Sequence, residues 1–131
     1  MIVVDTNVLI YRWFPSRYEQ NVERLVAVDT DWVAPLLWRS EFRNVLCQYL
    51  KRDQLSFVHA MAVLEKAEEA MANREYDVDS VAVMELAESS GCTAYDCEFI
   101  ALASDLRTSL ITTDTQLLKA FPSIAKPLGG F

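Results

Sequence analysis

The chain has 131 residues, 52% of them hydrophobic and 24% charged, with a mean hydropathy of +0.10; it is too apolar to be disordered and long enough for one core. A net charge of −7 and a pI of about 4.6 argue against a broad basic surface for nucleic acid, although acids concentrated in a metal site would leave such a partner open. No run reaches the length of a membrane span, and Asp5 and Asn7 interrupt the apolar start with no basic segment before it, so neither signal peptide nor membrane anchor is expected.

Ile2-Val3-Val4 is a short β-branched run of the kind that suits a strand buried on both faces, and it delivers Asp5 to the strand's carboxyl end. Open α/β sheets place their ligands at such ends. Val8 to Phe14 then predicts a short helix stopped near Pro15, and Glu19 to Val28 a second, with Val22, Leu25, Val26 and Val28 on its apolar face. The aromatic and basic run Tyr11 to Tyr18 between them could dock a partner or stack on bases, but aromatics at helical spacing are more often core.

Trp32-Val33-Ala34 reads as a weak strand, and Pro35 is expected to open the following helix. In that helix Phe42, Val45, Leu46, Tyr49 and Leu50 recur at three and four residues, ending near Lys51-Arg52-Asp53. Glu41 lies at the margin of this apolar stripe, where a carboxylate needs a partner. Ser56 can cap another helix whose apolar positions are Val58, Met61, Ala62, Leu64 and Ala67, with Glu65, Glu68 and Glu69 outside. The only histidine, His59, has no ligand-spaced companion and receives no role.

Tyr76-Asp77-Val78 is a short strand or extended link. Asp79 or Ser80 caps a helix through Val81, Val83, Met84, Leu86 and Ala87, closed at Gly91. Thr93-Ala94-Tyr95-Asp96 opens the next, with Phe99, Ile100, Leu102, Ala103 and Leu106 inward and Asp96 in its first turn. Ser109-Leu110-Ile111-Thr112 is a second inner strand, and Thr113-Asp114-Thr115 leads into a helix from Gln116 to Phe121, ended by Pro122. Ile124 to Leu128 makes a last strand. The alternation predicts one α/β domain over residues 1–131, a three-layer α/β/α sandwich with a mostly parallel central sheet. Cys47, Cys92 and Cys97 form no CxxC pair and read as reduced packing thiols in a cytoplasmic protein.

Singly, each acid has an ordinary explanation: an Asx turn at Asp5, helix caps at Asp96 and Asp114, an ion pair at Glu41. Their joint placement changes the odds. Asp5 and Asp114 follow parallel inner strands, and Asp96 and Glu41 stand near helix starts, so all four can converge on one sheet edge. Gathered carboxylates repel one another unless hard cations compensate them. Oxygen donors without a His or Cys cluster favour Mg²⁺ or Mn²⁺, one or two ions, and phosphodiester hydrolysis is the matching chemistry. Thr6, Asn7 and Thr112 could orient ligands or water by hydrogen bonds, with Thr112 the most easily explained as an ordinary strand residue.

Val3-Val4-Asp5-Thr6-Asn7-Val8-Leu9-Ile10, Glu41 followed by Asn44-Val45-Leu46, Tyr95-Asp96 followed by Ala101-Leu102-Ala103, and Ile111-Thr112-Thr113-Asp114 followed by Leu117 resemble the PIN domain, and within it the VapC-type toxins. The resemblance implies a Mg²⁺-dependent endoribonuclease with Asp5, Glu41, Asp96 and Asp114 as its acidic quartet and metal ligands. It also implies a homodimer and a cognate antitoxin that covers or disrupts the site. Many such relatives carry a further acid where this chain has Gln116, which bears on a second metal. Two other classes compete: a catalytically weak PIN-like binding module acting through a protein partner, and a phosphatase or receiver-like domain. The last ranks lowest, because Asn7 stands where a DxD motif needs its second acid.

Overall fold

Short apolar strands buried on both faces need helices above and below them, and the computed structural model, which describes residues 1–130, has that arrangement. Strands β1 (Ile2–Val4), β2 (Trp32–Pro35), β3 (Glu75–Tyr76), β4 (Leu110–Thr112) and β5 (Ala125–Pro127) form one sheet in the order β3-β2-β1-β4-β5. Every pairing is parallel, with Val3 opposite both Val33 and Leu110. Val3, Val4, Leu110 and Ile111 are at most 1% exposed, which places the core on either side of β1 and β4.

Helices α1 (Thr6–Trp13) and α2 (Glu19–Val28) join β1 to β2, and α3 (Trp38–Lys51) and α4 (Phe57–Met71) join β2 to β3. Both crossovers step the same way across the sheet. Helices α5 (Ser80–Ser90) and α6 (Ala94–Asp105), and then α7 (Thr115–Ala120), carry the chain back through β4 to β5 in the opposite sense. Right-handed crossovers therefore put α1 to α4 on one face and α5 to α7 on the other, giving three layers. The packing agrees: α1 touches α2, α3 and α4, while α5 lies on α6 and α6 on β1, β2 and β4. The strand order reverses at β1, so the crevice between the carboxyl ends of β1 and β4 is the topological switch point. Among the described residues no helix is long and apolar enough to cross a membrane.

Several local expectations shift. Helix α1 starts at Thr6 rather than Val8, because the Asp5 side chain accepts from the Val8 N–H at 3.0 Å and caps it. Pro35 does not open α3. It is the last residue of β2, opposite Tyr76, and the helix begins at Trp38. The third strand is Glu75–Tyr76, one residue earlier than Tyr76-Asp77-Val78, and Val28 is exposed at the end of α2. On α4, Val58 and Met61 face outward while Ala60, Val63, Ala67 and Met71 are buried. Val81 and Met84 of α5 are likewise exposed and only Val83 is buried. Both helices carry apolar residues on most sides, so periodicity alone does not select the inward face.

The aromatic run packs mostly inward. Tyr11, Trp13, Phe14 and Tyr18 lie against the core, with Tyr11 on Tyr18 at 4.7 Å and Phe14 edge-on to Tyr49 at 5.4 Å. Cys92 and Cys97 are buried, as packing thiols should be, whereas Cys47 is exposed.

Candidate active site

The four acids reach one place by four routes. Asp5 follows β1 and caps α1; Asp114 follows β4 and caps α7, accepting from the Gln116 and Leu117 N–H groups at 2.8 and 3.1 Å. Glu41 and Asp96 lie in the first turns of α3 and α6. All four line one cavity of about 180 Å³ at the switch point, together with Thr6, Asn7, Asn44, Val45, Phe99 and Leu117. Four helices thus begin at this cavity, and the partial positive charge of their amino ends tempers the repulsion among the acids.

The supporting residues hold the acids in place. Thr6 donates to Glu41 Oε1 at 2.7 Å. Thr112 is fully buried outside the cavity lining; its hydroxyl donates to Asp5 Oδ2 and accepts from the Asp114 N–H at 2.9 Å. One threonine therefore ties together the two acids that end β1 and β4, a role stronger than that of an ordinary strand residue. Asn7 is exposed at the rim. Gln116 lies outside the cavity and contributes its backbone N–H to Asp114.

The electrostatics are those of an uncompensated acidic site. Burial, above all, pushes the Asp5 carboxyl from its ordinary 3.8 up to about 6; the charges of Asp114 and Glu41 add to the rise, and the bonds from Thr112 and Val8 oppose it. Burial and then Asp96 raise Glu41 against the Thr6 bond, and burial and then Asp114 raise Asp96. Asp5 thus feels Asp114 and Glu41, Glu41 feels Asp96, and Asp96 feels Asp114. Among the described residues none of the four has an ion-pair partner, and no Lys, Arg or His lines the cavity. The Cys97 thiol beside Asp96 is pushed up by burial, which leaves it protonated and packed.

These residues suit a hard divalent cation by donor chemistry, since they are oxygens only and carry negative charge that nothing else neutralises. They do not form a closed ligand shell as they stand: among the described residues no three acidic, His or Cys side chains are close enough to hold an ion. Mg²⁺ is compatible with that spacing, because it commonly keeps several waters and takes only one or two carboxylates directly. Thr112 tests the coupling. Thr112→Val removes the donor that favours ionised Asp5, so Mn²⁺ affinity at pH 6.5 should fall about tenfold or more in calorimetry. Unchanged affinity would separate Asp5 from metal binding.

Some cavity residues were not foreseen as site residues. Asn44 and Val45 come three and four residues after Glu41, Phe99 three after Asp96, and Leu117 three after Asp114. The signal was the helical step from each acid. Glu98 is a further acid raised by burial and then by Glu41, although it does not line the cavity.

Residues 2–122 match the PIN domain family. The chain belongs to that family. Among curated relatives, this PIN domain is 28% identical over 129 residues to Ribonuclease VapC3 of Pyrobaculum aerophilum, covering 96% of this chain and 98% of that one. Its fold is similar to the crystal structure of PAE2754 from Pyrobaculum aerophilum, with a TM-score of 0.79 at 19% identity, over 98% of this chain and 89% of that one. It is also similar to a toxin-antitoxin complex from Klebsiella pneumoniae, with a TM-score of 0.69 at 15% identity, over 96% of this chain and 97% of the other. At these identities the two structures establish the PIN fold alone.

Proposed function

We propose that this PIN domain is a Mg²⁺-dependent endoribonuclease, a single nuclease domain acting as the toxin of a toxin-antitoxin pair. The observation that carries this reading is the meeting of Asp5, Glu41, Asp96 and Asp114 in one cavity at the switch point that, among the described residues, no Lys, Arg or His lines. The relative named as a ribonuclease and the fold shared with a toxin-antitoxin complex support it.

One or two Mg²⁺ ions, or Mn²⁺ in their place, would lower the cost of bringing a phosphate to this acidic surface and polarise its oxygens. Asp5, Glu41, Asp96 and Asp114 are the proposed ligands. Thr112 and the Val8 N–H aim Asp5, Thr6 aims Glu41, and the first-turn amides aim Asp114. Asn7 at the rim offers a neutral donor to the attacking water or the RNA. In the overall step water adds to phosphorus while one bridging P–O bond breaks with its electron pair on the leaving oxygen; an ionised carboxylate takes the water's proton, and the leaving oxygen is protonated from solvent to a hydroxyl.

A cognate antitoxin covering this cavity, and a homodimer, complete the proposed assembly in the cytoplasm. The competing reading is a metal-binding module that acts only through a protein partner. The test is cleavage of total RNA by the purified, partner-free protein. Cleavage that requires Mg²⁺ and is abolished by EDTA is expected; a metal-loaded protein inert on every RNA would favour the binding module.

A further inference from the structure

The cavity is acidic throughout, and its groups leave few ways of holding an anionic strand. Among the described residues that line it, only Thr6, Asn7 and Asn44 have side chains that can donate a hydrogen bond. Thr6 spends its proton on Glu41 at 2.7 Å. The hydrogen bonds among the cavity's own groups engage Thr6, Glu41, Asp5 and Asp114 and leave the two carboxamides uncommitted. Asn44 is exposed and stands one helical turn beyond Glu41 on α3, with Val45 beside it on the same lining face.

We infer that Asn44 is a substrate-binding residue whose carboxamide N–H groups donate to a phosphate oxygen of the RNA backbone beside the scissile bond. This rests on the nuclease reading above and names the contact that would bind the strand at that site. A neutral amide suits the position. A Lys or Arg there would pair with Glu41 and compete with the metal, whereas an amide donates to phosphate without neutralising the acids. A carboxylate there would repel the strand.

The experiment compares wild type, Asn44→Ala and Asn44→Asp in three measurements. Affinity for a fluorescein-labelled oligoribonucleotide is read by anisotropy with Ca²⁺ replacing Mg²⁺, KM and kcat come from cleavage with Mg²⁺, and Mn²⁺ affinity comes from calorimetry without RNA. Because Asn44 is exposed, the variants should fold with an unchanged thermal midpoint. Asn44→Ala is expected to weaken RNA binding and raise KM about tenfold, Asn44→Asp more, with Mn²⁺ affinity held within about twofold for Asn44→Ala. Unchanged RNA affinity in Asn44→Ala would overturn the assignment. So would a loss of Mn²⁺ affinity equal to the loss of RNA affinity, which would make Asn44 a metal ligand. A wild type that binds RNA, depends on Asn44 to do so and never cleaves would sink the nuclease reading and keep the contact; one that binds no RNA would sink both.

Discussion

Replacing Asp5 by Asn is expected to lower RNA cleavage by about three orders of magnitude while making the metal-free protein more stable above pH 6. The first effect follows from losing the most buried of the four acids, the one tied to Asp114 through Thr112. The second follows from its proton equilibrium. Asp5 ionises near 3.8 in the unfolded chain and at about 6 in the fold. Between those values the folded protein holds a proton that the unfolded chain has released, so stability falls as pH rises through this window. Above it, ionised Asp5 costs about 3 kcal/mol. Asn keeps the cap on α1 and cannot ionise. Urea titrations in EDTA at pH 4.5 and 7.5 should therefore show a smaller loss of stability in Asp5→Asn than in wild type, and Mg²⁺ should restore stability only to the wild type. Equal pH slopes in both proteins would mean that Asp5 is not the strained acid, and full-rate cleavage by the variant would remove the proposed chemistry.

Trp38→Ala should remove about 3–5 kcal/mol of stability, a large part of what a domain of this size has. Trp38 is fully buried at the start of α3, meets Phe42 edge-on at 5.6 Å, and donates from Nε1 to Glu75 at 2.8 Å. Glu75 also accepts from Arg39 Nε at 2.5 Å, and that guanidinium lowers its carboxyl from the ordinary value. The indole thus fixes the first turn of α3 to β3, and Glu41 stands in that same turn. Truncation should lower the urea midpoint at unchanged slope and also reduce cleavage at temperatures where the variant remains folded. Trp38→Phe should recover most of the packing and lack only the hydrogen bond. A Trp38→Ala protein as stable as wild type would show that the cluster does not anchor α3.

Much of the site was legible because each acid sits at the end of a recognisable element. Val3-Val4 before Asp5 and Leu110-Ile111 before Asp114 mark inner strands, and parallel strands end on one edge. Asp96 could be placed in a first turn because Thr93-Ala94-Tyr95-Asp96 opens a helix, and Glu41 near a helix start from the apolar stripe after it; that α3 begins at Trp38, which puts Glu41 in the first turn, was not legible. What stayed hidden was direction. Val58 and Met61 were expected inside α4 and point to solvent, because a helix apolar on most sides has no preferred phase until its neighbours supply one. Pro35 had the chemistry of a helix start and became the end of a strand, since pairing with β3 outweighed local preference. Thr112 looked like any strand threonine until Asp5 and Asp114 were found on its hydroxyl.

By itself the amino-acid order determined the alternation of strands and helices and that four carboxylates stand where strands end and helices begin; those are matters of local sterics, capping and hydrophobic period. Only the tertiary structure decided that the acids share one cavity that, among the described residues, no Lys, Arg or His lines, that Thr112 links two of them, and that α3 turns the face carrying Glu41 and Asn44 into it. Such facts depend on which side chains meet across the switch point, and contacts between residues 107 positions apart, as between Asp5 and Thr112, have no local signature.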